Sequence, residues 1–240
     1  MLIPWLLPAA ILAASTPSAD QGLQVPPPPA EAQITLVRAV GEAPRENAAL
    51  LARLSRSYAD SVDVAPDQAA ARKAARQAVD LAQRAVKADP KNGQAHLALA
   101  IAYGKWTDFV DSKAKLVFSR QIRSEAERAV ALDPSLDLAY HVLGRWHLHI
   151  ATVNPILRLG ARLTVGALPP SSIEEGARNL EKAVELSPKT ILHHQYLARA
   201  YEALGKREDA ARQWRTVLEL PATAREDEEA KRQARAALGK

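Results

Sequence analysis

The chain has no cysteine, so disulfides and thiolate metal sites are excluded. Aromatic residues make up only 5% of its 240 residues, and there is a single methionine. Glycine is scarce within the periodic apolar stretches, where Ala, Leu, Arg and Glu dominate; these are strong helix formers. Valine and isoleucine are scattered rather than alternating, which leaves strands with little support. No run of basic residues is interleaved with aromatics, and the net charge of +5 is mild. Nucleic acid is therefore not an expected partner. No apolar run reaches the about 20 residues of a membrane-spanning helix. A Ser-His-Asp set, a phosphate loop and a paired catalytic acid are all missing, so neither an enzyme nor a cofactor is expected.

What is present is a pattern that recurs after prolines. Ala88-Asp89-Pro90, Leu132-Asp133-Pro134 and Leu186-Ser187-Pro188 each end one apolar helix and open the next. After each proline a large residue follows at +6, a leucine at +9, a small residue at +10 and a ring at +13. The sets are His96, Leu99, Ala100, Tyr103; Tyr140, Leu143, Gly144, His147; and His194, Leu197, Ala198, Tyr201. Leu51, Leu54, Ser55 and Tyr58 fit the same spacing in an earlier helix. A fixed large-small-large spacing on successive helices marks a helix-hairpin repeat. The prolines at 90, 134, 188 and 221 stand 44, 54 and 33 residues apart, against about 34 for a plain tetratricopeptide unit. The expected fold is all-α: a tetratricopeptide-like superhelical stack of about four helix hairpins, right-handed, with a C-terminal capping helix. Leu99, Leu143, Leu197 and Trp214 are expected in its core. Ser171 with Glu174, and Thr223 with Glu226, read as capping boxes.

Three domains follow from composition. Residues 1–19 read as a signal peptide, because Met1 to Ala14 carry no charge and small residues follow. No basic residue precedes the apolar run, and Pro4 and Pro8 interrupt it. The expected location is periplasmic or secreted. Residues 20–43 contain Pro26 to Pro29 and read as a proline-rich disordered linker. Residues 44–240 form the helical repeat domain.

The segments Tyr140-His141-Val142-Leu143-Gly144-Arg145-Trp146 and Gly166 through Gly176 carry further information. So do Ala200-Tyr201 ahead of Ala210 and Trp214, and Glu226 through Ala230. Together they resemble the regulator of microtubule dynamics family, over about Asp80 to Leu238. The resemblance implies a tetratricopeptide-like helical domain without enzymatic activity; it implies no residue with a defined chemical role.

In such an array the first helix of each pair lines the concave face. The groove positions are then Arg56, Gln94, Leu97, Ile101, His141, Arg145, Gln195 and Arg199. Arginine recurs at one register position as Arg56, Arg145 and Arg199, with Ile101 as the exception. Guanidinium grips carboxylate by two parallel hydrogen bonds, so the expected partner is a protein or peptide that presents acidic side chains or its C-terminus. The plainer reading pairs each arginine with a nearby acid such as Glu202 or Glu127. Six histidines invite a metal, but the spacing argues against one. His141, His147 and His149 do not stand four apart, and adjacent His193 and His194 diverge by about 100° on a helix.

The insertion from Thr152 to Pro170 places Ile156, Leu159, Gly160 and Leu163 on one helical face, with Arg158 and Arg162 together on another. Packing on the array's own helices is the commoner fate of such a stripe. The alternative is a lid or a peripheral membrane contact, which would make the chain a lipid- or small-molecule-binding domain.

Overall fold

The computed structural model describes residues 29–42, 47–164, 166–223 and 225–239. Among these residues all regular structure is helical. The helices are α1 (Pro29–Glu42), α2 (Ala48–Ser61), α3 (Gln68–Ala88), α4 (Gly93–Trp106), α5 (Ser112–Leu132), α6 (Asp137–Ala151), α7 (Pro155–Thr164), α8 (Ile173–Leu186), α9 (Ile191–Ala203), α10 (Arg207–Glu219) and α11 (Arg225–Ala237). Short 3₁₀ turns follow α2 at Val62–Val64 and α4 at Thr107–Phe109.

The helix starts are written in the side chains. Asn47, Asp67, Asn92, Asp111 and Ser172 each accept a hydrogen bond from a backbone N–H three residues on, which satisfies a donor that the first turn leaves orphaned. The cap of α8 sits at Ser172, which bonds Glu174 and the Glu175 amide, one residue beyond the expected Ser171. Before α11, Thr223 donates through its amide and hydroxyl to Asp227 rather than to Glu226.

Helices pair as α2·α3, α4·α5, α6·α8 and α9·α10, and α11 packs on α9 and α10. This is the expected set of four hairpins and a cap. Leu99, Leu143, Leu197 and Trp214 are all buried. The repeat spacing has a clear physical content. At +6, His96 and His194 each place Nε2 within hydrogen-bond distance of the carbonyl of their own proline, Pro90 at 3.0 Å and Pro188 at 2.8 Å. The other ring nitrogen reaches the second helix of the pair, 2.6 Å from Glu125 in one unit and 2.6 Å from Gln213 in the other. In these two units the histidine at +6 thus ties the turn to both helices. At +10 the small residue sets how closely the helices approach. A Cβ on Gly144 would lie 2.5 Å from Leu180 Cγ and 2.9 Å from the Gly176 carbonyl oxygen.

Two expectations about the connecting segments are corrected. Of the disordered linker expected over 20–43, residues 29–42 form helix α1, and the rest lies outside the described residues. Pro29 occupies the first helical position, where its missing N–H removes nothing. Leu36 and Val40 then pack on the main core, which is what holds α1 in place. The insertion forms α7, but its apolar side does not pack on the array. Ile156 is 79% exposed, Leu159 59% and Leu163 78%. Arg158 fastens the helix by donating to the carbonyls of Ile150 and Ala151 at the end of α6. The chain beyond α7 is held instead by Arg120 and Arg123, which donate to the carbonyls of Ala167 and Pro170. The leader expected over 1–19 lies outside the described residues.

Candidate functional site

The array curls so that its last helices face its first turns across a concave chamber. A cavity of about 610 Å³ is lined by Val62 and Asp63 after α2, Asp108 and Phe109 after α4, Tyr196 and Arg199 on α9, and Glu226 and Glu229 on α11, among others. A second cavity of about 380 Å³ is lined by Arg145, Leu148, His149 and Thr152 of the third unit and by Tyr196, Arg199 and Ala203 of the fourth. The two share Tyr196 and Arg199, so they adjoin.

Tyr196 is the hub. The Arg145 guanidinium stands 4.4 Å from its ring centroid and the Arg199 guanidinium 5.0 Å. Cations over aromatic faces are attracted by the ring quadrupole. His141 meets the same ring edge-on at 5.2 Å. Arg199 also donates to Gln233 on α11 at 2.5 Å, and Gln195 donates to the same oxygen at 2.9 Å. Arg145 has no hydrogen bond or ion pair among the described residues. Burial pushes its guanidinium below the usual arginine range, and the nearby Arg199 charge adds to this. Burial, followed by the Arg145 charge, also holds the His149 imidazole below its usual value. This end of the groove therefore carries two arginines without a carboxylate partner among the described residues. Glu202 accepts from Trp214, and Glu127 pairs with Arg123, so neither neutralises them.

The other end of the groove is acidic, and sequence spacing did not reveal it. Lys105 is almost fully buried and binds Asp63 at 2.5 Å. Asp60 is 6% exposed, and its Oδ2 is buried without a hydrogen-bond partner, as is Asp63 Oδ1. Burial raises the Asp60 carboxyl to about 7; Arg56 and Lys105 pull it down, while Asp63 and Glu226 push it up. Burial likewise raises Asp63 and Asp108. A charged residue just past the repeat ring was the available hint, since Asp60 and Lys105 both stand two residues past a tyrosine.

The structure divides the sequence-predicted groove residues into four groups. Arg145, Arg199 and Gln195 come together around Tyr196. Arg56 is separated from them and sits beside Asp60 at the acidic end, its Nε buried without a partner. Gln94 is exposed on α4, whereas Leu97 and Ile101 are 2% and 3% exposed in the main core. His141 is fully buried, with His193 Nδ1 3.1 Å from its own Nδ1, and His193 Nε2 is 2.9 Å from Asp137. Leu97, Ile101 and His141 thus hold the wall of the groove and do not reach its surface. Of the insertion residues, Arg162 is exposed with Ile156, Leu159 and Leu163, and Arg158 is half-buried.

The family model described as regulator of microtubule dynamics protein 1-3 matches residues 20–240. The chain belongs to the regulator of microtubule dynamics family. Mouse regulator of microtubule dynamics protein 2 is 28% identical over 186 residues, which is 77% of this chain and 45% of that protein. The human protein 2 is 26% identical, with 79% of this chain and 46% of that protein covered. Protein 3 of Xenopus laevis is 26% identical, with 74% and 38% covered. The chain therefore spans less than half the length of these family members. Among solved structures, a thermophilic TPR protein of Thermus thermophilus superposes with a TM-score of 0.62 at 18% identity, covering 88% of this chain and 91% of that one; the likeness is one of fold. Family membership overturns the expected periplasmic or secreted location. That expectation rested on the apolar composition of Met1 to Ala14, whereas the relatives are named for microtubule dynamics and not for export.

Proposed function

We propose that the chain is a non-catalytic protein-interaction module that binds an acidic or C-terminal segment of a partner protein in its concave groove. Arg145 and Arg199 receive the carboxylate, and Leu148 and Ala203 offer apolar contact beside it. The observation that carries this reading is Arg145: a half-buried guanidinium, stacked on Tyr196, without an ion pair among the described residues, beside a cavity of about 380 Å³. Stacking and the neighbouring ring fix both forks in place, so little side-chain entropy is lost when an anion arrives.

A second reading rests on a different observation. The uncovered apolar side of α7 suits a lipid or another apolar small molecule, with 152–170 as lid or peripheral membrane contact.

One experiment tests both. The parent and Arg145→Gln/Arg199→Gln are used as baits in native-host lysate, with proteins and extracted lipids identified by mass spectrometry. The expected result is a protein held by the parent and at least about tenfold depleted from the variant, since charge-assisted hydrogen bonds contribute about 1.5–3 kcal/mol. Equal capture by both baits would overturn the arginine site. Absence of co-purifying lipid would overturn the second reading.

A further inference from the structure

The arginine pair occupies only one end of the chamber. The larger cavity presents Asp63, Asp108, Glu226 and Glu229 against Arg199, with Phe109 and Tyr196 as aromatic walls. These carboxylates come from three separate places in the chain: the turn after α2, the turn after α4, and α11. Asp63 is already paired with Lys105 and Glu229 with Arg232, whereas Asp108 and Glu226 have no ion pair among the described residues, and the fold gathers all four around one space.

Asp63, which lines the cavity, keeps its Oδ1 buried without a hydrogen-bond partner, and Asp60, outside the lining and more than nine-tenths buried, has none for its Oδ2. Its carboxyl is near enough to Asp63 and Glu226 for their charges to act on it. A buried carboxyl with an unsatisfied oxygen is costly, because the desolvation of that oxygen is not offset by a hydrogen bond. Arg56 and Lys105 reduce that cost but leave the oxygen unmet. An arriving cationic group would be attracted by Asp63, Asp108 and Glu226 together, and Phe109 and Tyr196 would flank it.

We infer that this acidic chamber receives a basic side chain, lysine or arginine, from the same partner segment whose carboxylate reaches Arg145 and Arg199. The inference rests on the peptide reading above and narrows it: the partner segment is bipolar, with a basic residue at one end and a carboxylate at the other. The shared residues Tyr196 and Arg199 make the two cavities one continuous groove, so a single extended segment can span both. A purely acidic segment would meet repulsion at the α11 end, and a purely basic one at the arginine end. Discrimination of this kind comes from like-charge repulsion as much as from attraction.

The test uses a bead library of heptapeptides with free C-termini, all other positions randomised, screened against the parent, Asp108→Asn/Glu226→Gln and Arg145→Gln. Circular dichroism first establishes parental helicity for each variant. From the parent, retained peptides should be enriched about tenfold in Lys or Arg at one position and in Asp or Glu at another. The acid-to-amide variant should lose the basic enrichment and keep the acidic one, and Arg145→Gln should do the reverse. Basic enrichment that is absent from the parent, or that persists in Asp108→Asn/Glu226→Gln, overturns this inference and leaves the arginine site standing. If acidic enrichment is missing from the parent, the peptide reading falls with it.

Discussion

Asp60 is a buried acid that costs the fold stability at neutral and alkaline pH. Its carboxyl is raised from 3.8 to about 7 by burial. The folded state therefore holds a proton that the unfolded chain releases near pH 4. Stability from this group is greatest in acid and declines as pH rises from about 4 to about 7. Asp60→Asn removes the titration while keeping the shape. The variant is expected to be more stable than the parent at pH 8 by about 4 kcal/mol and to converge towards it near pH 4. Urea denaturation at the two pH values measures this directly. A parent that outlasts the variant at pH 8 would mean that Asp60 is paired rather than stranded. Asp60 stands outside the lining of the acidic chamber and is linked to it through the charges of Asp63 and Glu226. Arg145 is the complementary case, a cation left with only an aromatic ring for company among the described residues.

At the scale of elements, the hairpins were legible because their determinants are local. The proline stops, the leucine at +9 and the small residue at +10 act within a turn or two of helix or between neighbouring helices. Gly144 tests that logic. On an isolated helix, alanine would be favoured over glycine by about 1 kcal/mol. Here the added Cβ would press on Leu180 and on the Gly176 backbone. Gly144→Ala is therefore expected to lower stability by about 1–3 kcal/mol, seen as an earlier urea midpoint with an unchanged slope. An equal or later midpoint would mean that α6 and α8 are not in close contact. The elements misread were those whose fate depends on distant neighbours. Pro26 to Pro29 favour extended chain when read forwards, yet Pro29 can also start a helix once α2 offers Leu36 and Val40 a surface. The stripe of Ile156, Leu159 and Leu163 has core spacing, but the loop that follows is captured by Arg120 and Arg123, and the stripe stays uncovered.

At the scale of the whole molecule, the curl of the array decides which side chains meet. Register placed Arg56, Arg145 and Arg199 at one repeat position, and the structure unites only two of them. The third belongs to the first unit, where its neighbour is Asp60. Repeat spacing specifies each hairpin but not the angle between successive hairpins, and that angle brings α11 opposite the turns after α2 and α4. The acidic half of the groove was hidden for the same reason: Asp63, Asp108 and Glu226 are far apart in sequence and share no motif. The molecule that results is a helical-repeat member of the regulator of microtubule dynamics family whose groove carries opposite charge at its two ends.

The central claim is that Arg145 and Arg199 form the anion-receiving end of that groove, and arginine side-chain NMR tests it most directly. The Nε–H resonances of both residues, assigned with Arg145→Lys and Arg199→Lys, are followed while a C-terminally free acidic peptide from the library is titrated into the parent. The account predicts that these two resonances shift together and saturate with one binding curve, while that of the exposed Arg76, which lines neither cavity, stays fixed. Peptide binding that leaves both resonances unmoved would contradict it.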